Sequence, residues 1–208
     1  MMPPPVLVSA AVEGLVDEAV VQRLIDHVGG VPGPVYGKNG KTALRSRVRG
    51  YNNAAQRAPW IVLVDLNGEY DCAPPLRSAW LRDAAPHLCF RVAVREVEAW
   101  LLADHESLAH FLRIAAARVP RQPETLDDPK RALVDLARTS RLRAMREDMV
   151  PREGSGRSIG PAYPSRVIEF VRNQWRPDVA ARQADSLQRA IACLRRLTGG
   201  LQDAPRTG

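Results

Sequence analysis

No apolar run in this 208-residue chain approaches the ~20 residues that a bilayer-spanning helix needs, so a helical membrane span is excluded. Cysteine is scarce. Cys72, Cys89 and Cys193 are widely spaced and odd in number, fitting neither a disulfide framework nor a CxxC zinc site, which predicts a reduced, cytoplasmic setting. The opening MMPPPVLVSA lacks a basic segment followed by an apolar one and a cleavage site, so secretion is not expected. Lysine is scarcer than its charge partner: only Lys38, Lys41 and Lys130 stand among the 30 basic residues. The most informative gap is acidic. From His27 to Val64 there is no Asp or Glu, while Lys38, Lys41, Arg45, Arg47, Arg49 and Arg57 place six positive charges there, nearly the whole net charge of +7. Such a stretch, with Tyr36 and Tyr51 interleaved, suits a phosphate backbone; it equally suits a solvated basic helix and loop.

What is present is enough for a core, with 45% hydrophobic residues. Val6–Val12 reads as a buried first strand, and a helical period over Asp17–Val28 is ended by Gly29-Gly30. A brief strand near Val35 follows, then a basic helix to about Arg57 with Thr42 as its cap. WIVLV at Trp60–Val64 is continuously apolar, as a strand covered on both faces must be. A helix opened by Pro75 runs to about Ala84, and Leu88–Val94 is a further strand. The alternation predicts an α/β fold with an open, mainly parallel sheet flanked by helices over residues 1–104. From Glu96 onward the pattern is helical, with Glu98–Leu112, Pro129–Arg138, Ser165–Trp175 and Val179–Leu197, and residues 105–208 read as a helical region packed on the core. A Gly-rich loop spans Glu153–Pro161.

Two tempting motifs fail on spacing. GKNGKT lacks the first glycine of a phosphate-binding loop, since Val35 stands where it is needed, and reads as an exposed basic turn. His105 and His110 are five apart, whereas two histidines bind one zinc from a helix at four. The acids are more telling. Glu13 follows the first strand, Asp65 follows WIVLV, and Glu96 and Glu98 follow the Leu88–Val94 strand. In a parallel α/β sheet, ligands bind at the carboxyl ends of the strands. Carboxylates gathered there repel one another unless a cation neutralises them, and oxygen-only donors suit Mg²⁺ or Mn²⁺. Each acid could also merely balance a helix N-terminus.

VEG at Val12–Gly14, DLN at Asp65–Asn67, CAP at Cys72–Pro74, REVEAWLLAD at Arg95–Asp104, the Pro129-Lys130 pair and GPAYPSRVIEF at Gly160–Phe170 together resemble a Toprim-like group. That group comprises small bacterial proteins related to the OLD-type nucleases and often associated with phage defence. EAWLLAD is the most specific piece. The resemblance implies a Toprim-like sheet and a Mg²⁺- or Mn²⁺-dependent phosphodiesterase acting on nucleic acid. Asp65, Asn67, Glu96 and Glu98 would then hold the metal, and Glu13 would act as ligand or general base. Lys130 would act as a compact charge on a phosphate, and Lys41, Arg45, Arg47, Arg49 and Arg57 would hold the backbone. Asn67 departs from the usual second Asp, with Glu69 or Asp71 as substitutes. That departure keeps open a non-catalytic module binding nucleic acid or a partner protein of a defence system. Phosphoryl chemistry on a small nucleotide is a third reading.

Overall fold

A strand buried along its whole length needs cover on both faces, and Trp60–Asp65 (β3) has it. Ile61 and Leu63 point into one hydrophobic cluster, Trp60, Val62 and Val64 into another. The same two-residue period separates Val8, Ala10 and Val12 from Ala11 in Leu7–Val12 (β1), and Cys89 from Phe90 in Leu88–Ala93 (β4). With Val31–Gly37 (β2) they form one all-parallel sheet, ordered β2-β1-β3-β4. The fold is α/β, with helices on both faces. This computed structural model describes residues 4–68 and 70–200.

Helices Gly40–Ala54 (α2) and Ala73–Trp80 (α3) cover one face through Leu44, Val48, Leu76 and Trp80. The other face carries Leu15–His27 (α1), Val97–Leu102 (α4), His105–Leu112 (α5) and Pro129–Arg138 (α6). It also carries Arg143–Met149 (α7), Tyr163–Asn173 (α8), Pro177–Ala180 (α9) and Asp185–Gly200 (α10). Trp100 and Leu101 share their cluster with Phe170, Trp175 and Leu187, so residues 1–104 and 105–200 are built on a common core. Among the described residues no helix is long and apolar enough to cross a membrane.

The local differences from the sequence reading have identifiable causes. The basic helix begins at Gly40 with Asn39 as cap, not at Thr42, because Lys38 and Gly40 turn the chain with positive φ. Gly37 (φ +90) ends β2 where a Cβ would lie 2.2 Å from the Val12 carbonyl oxygen, so only glycine permits that approach. The segment read as one helix over Glu98–Leu112 breaks at Asp104. Its fully buried carboxylate accepts the Arg176 backbone N–H (2.9 Å) and guanidinium (2.6 Å) instead of continuing the helix surface. The Val179–Leu197 segment likewise divides into α9 and α10, whose first N–H groups are capped by Glu124, on Asp185 (2.9 Å) and Ser186 (3.1 Å). Helix α7 was not anticipated at all, and α3 stops at Trp80 rather than Ala84.

Candidate functional site

The chain passes from β1 outward to β2 and then back across β1 to β3, so the strand order reverses between β1 and β3. In this architecture ligands bind at the carboxyl ends of the strands beside such a reversal. Glu13 leaves β1 and Asp65 ends β3 at that edge. The Asp65 backbone N–H donates to Glu13 Oε1 at 2.9 Å. Asp65 Oδ1 in turn accepts the backbone N–H of Val97 at 3.1 Å, joining β3 to the first turn of α4. Glu98, in that turn, is only 2% exposed. Its Oε1 accepts the Tyr163 hydroxyl at 3.1 Å and lies 3.7 Å from Lys130 Nζ, while its Oε2 is buried without a hydrogen-bond partner. Glu96 faces α6, its carboxylate accepting both the backbone N–H (3.1 Å) and the Nζ (3.0 Å) of Lys130. Pro129 and the Asp128 cap on Arg131 N–H (2.7 Å) start α6 so that Lys130 meets these acids.

A further acid joins them. Asp17, four residues after Glu13 in the first turn of α1, is buried, and its Oδ1 also lacks a hydrogen-bond partner. Gly14 makes room for it, since a Cβ there would stand 3.1 Å from Asp17 Oδ2. Three of the carboxyls are shifted by burial and by their neighbours. Burial first, then Asp17, Glu98, Glu13 and Glu96, hold the Asp65 carboxyl well above the ordinary carboxylate range. Burial and Glu13 push Asp17 up to about 6. Burial pushes Glu98 up to about 7, against the opposing pull of Lys130. Burial works to lower Lys130, but Glu98 and Glu96 together hold it above its usual value. Burial, then Glu98, raises Tyr163, which therefore stays a hydroxyl donor.

The structure thus brings Glu13, Asp65, Glu96, Glu98 and Lys130 together. Asn67 sits exposed at the mouth, in a left-handed turn (φ 49) whose N–H donates to the Arg95 carbonyl at 3.0 Å. Glu69 lies outside the described residues, and Asp71 is exposed. Lys41 does not lie on an open basic turn. Its Nζ donates to the Asp65 (2.9 Å) and Leu66 (3.2 Å) carbonyls, clamping the end of β3. Arg45 lies over the Trp80 ring at 5.7 Å, and Arg47 and Arg49 are exposed along α2. Arg57 falls beyond α2, just before β3 begins, at the opposite edge of the sheet from the acids.

No family model matches this chain, and neither a curated protein nor a solved structure does. The donor chemistry must speak for itself. Among the described residues no three His, Cys, Asp or Glu side chains stand arranged to hold a metal ion. Several are turned elsewhere: Glu13 to a backbone N–H, Glu96 to Lys130. The set nonetheless fits a hard divalent cation in kind, being carboxylate throughout, with unpartnered oxygens on Asp17 and Glu98 that a cation would satisfy. Sequence reasoning missed Asp17 and Tyr163. The first had a usable signal, since a residue four after Glu13 at a helix start returns to the same side. Tyr163 stands in the GPAYPSRVIEF motif, but that motif names no role for it, because only the tertiary fold carries α8 to Glu98.

Proposed function

We propose that the chain is a divalent-metal-dependent phosphodiesterase acting on nucleic acid, in the manner that its Toprim-like motifs imply. The observation that carries this reading is the gathering of five carboxylates, two with unpartnered oxygens, around one lysine at the carboxyl edge of the sheet, the other four all raising the Asp65 carboxyl. Asp65, Glu98 and Asp17 would hold Mg²⁺ or Mn²⁺, with Glu96 and Asn67 at the margin. The ion would supply Lewis acidity toward the scissile phosphate and a lowered pKa for an attacking water. Glu13 is within the cluster and suited to accept the proton of that water, needing hydrogen-bond reach alone. Lys130, restrained by Glu96, presents a fixed positive charge where phosphate charge develops. Lys41 keeps Asp65 in place from the backbone side. A role in defence against phage or mobile elements, alone or with a partner protein, is the setting the same motifs suggest.

The test is a cleavage assay on single- and double-stranded DNA and RNA with Mg²⁺, Mn²⁺ or EDTA. Cleavage that requires the divalent ion is expected; its absence on every substrate with every ion would overturn the reading. In that event the non-catalytic nucleic-acid-binding alternative gains, favoured by the exposed amide of Asn67 where the motif has a carboxylate. Binding itself has a separate expectation. Exchanging Arg45, Arg47 and Arg49 together for Ala should weaken duplex binding and flatten the plot of log affinity against log salt by up to about three units. An unchanged slope would mean that α2 is merely solvated.

A further inference from the structure

One face of α6 floors a cleft of about 660 Å³ that opens at one end on the acidic centre, through Asn67, Glu96 and Lys130. Arg131, Val134 and Arg138 recur along this floor at helical spacing, and Arg157, on the Gly-rich turn between α7 and α8, forms the facing wall. The guanidinium groups come from separate elements yet line one trough leading from the acids, which also holds Asp128 at the start of α6 and Asp127, the latter 3.6 Å from Arg95. From Lys130 to Arg138 the helix advances roughly 12 Å, which at ~3.4 Å per residue of a stacked strand takes in about three phosphates. No aromatic ring lines the trough among the described residues, so it offers bases no stacking platform. Asp135 stands 3.8 Å from both Arg131 and Arg138. These pairs are exposed and worth little, so a phosphate can displace the carboxylate. Arg157 has no ion pair among the described residues.

We infer that this cleft seats one strand of nucleic acid by its phosphates, to one side of the scissile bond, without reading its bases. A volume within the ~300–1,000 Å³ usual for small-molecule clefts takes in only a few nucleotides, so the seat suits a short stretch of one strand, and dTMP is the probe that tells this from a mononucleotide site. The inference rests on the phosphodiesterase reading for the position of the scissile phosphate. It also separates the two basic surfaces: α2 on one flank of the acids, the α6 trough on the other.

Fluorescence anisotropy in EDTA tests it with a short oligo(dT), its duplex form and dTMP as probes. Arg138→Ala with Arg157→Ala should weaken oligo(dT) binding about tenfold and reduce its salt slope by about 1.4 units. Asp135→Asn, which removes the competing carboxylate, should tighten it. Oligo(dT) affinity indifferent to the double substitution would overturn the inference. So would dTMP binding as tightly as the oligomer, or a duplex bound better and with equal sensitivity to these arginines. Cleavage assays on the same proteins keep the two readings apart. Asp65-dependent cleavage with arginine-independent oligo(dT) binding leaves the phosphodiesterase and removes the strand seat. Arginine-dependent binding with no cleavage under any divalent ion does the reverse.

Discussion

Asp65→Ala is expected to abolish divalent-dependent cleavage, by on the order of a thousandfold or more, while nucleic-acid affinity stays intact or rises. The size follows from the several kcal/mol of transition-state stabilisation that a metal site supplies, at 1.36 kcal/mol per tenfold. The direction of the affinity change follows because Asp65 is a buried acid that offers a phosphate no favourable contact. Asp65 is the right residue to remove because every other acid of the cluster acts on its carboxyl. Asn67→Asp belongs in the same experiment. Asp tolerates the left-handed turn at this position about as well as Asn does, and it adds a carboxylate at the mouth. A higher rate in Mg²⁺ would show that cation affinity limits the wild-type protein. Cleavage by Asp65→Ala at the wild-type rate would move the chemistry away from this edge of the sheet.

The second large effect is on stability, and its sign is opposite to that of most buried acids in ion pairs. Glu98 and Asp17 carry folded-state pKa values of about 7 and about 6, against about 4.3 and 3.9 in an unfolded chain. Between these values the folded protein holds more protons than the unfolded one, so stability falls as pH rises through the window from about 4 to 7. Lys130 adds no slope there, because its raised pKa lies far above the window. From pH 5 to pH 8 these two acids alone should cost the metal-free protein about 4 kcal/mol, a drop of roughly 8–16 °C in Tm for a chain of this size, and the raised Asp65 carboxyl acts in the same direction. Glu98→Gln retains an oxygen for Tyr163 and should flatten the profile. Saturating Mg²⁺ should restore stability at pH 8, as any ion bound only by the folded state must. Melting curves across that range check all three; a Tm rising from pH 5 to pH 8 without metal would contradict the assigned environment of these acids.

How much of this was legible beforehand depended on how local each signal was. WIVLV declared β3 because a parallel strand between two helical layers has no polar face to show. Pro129–Arg138 was read to the residue, since proline at the start and a strong amphipathic period mark both ends. Helix breaks were hidden where the apolar period runs on unbroken. Asp104 interrupts Glu98–Leu112 only because Arg176, far along the chain, captures its carboxylate. The strand-end acids Glu13, Asp65, Glu96 and Glu98 were visible as a set because topology alone sends strand ends to one edge. The trough on α6 was not, for its walls come from four separated segments. The basic stretch misled in part: Lys41 reads as surface charge but serves the backbone of β3. Arg57 shares its composition without sharing its edge.

The common core of the two halves has a consequence for the timing of synthesis. Glu98 is sequestered by Tyr163 and faced by Lys130, and both arrive from the later part of the chain. At roughly 5–20 residues per second, the interval between making Glu98 and making Tyr163 is roughly 3–13 s. During that time a nascent sheet would carry its acids without their lysine or their hydroxyl, and without the aromatic packing of Phe170 and Trp175. A ribosome-bound fragment ending before α8 should therefore not cleave nucleic acid, even where α2 binds it. Whatever this edge does is withheld until α8 has been made.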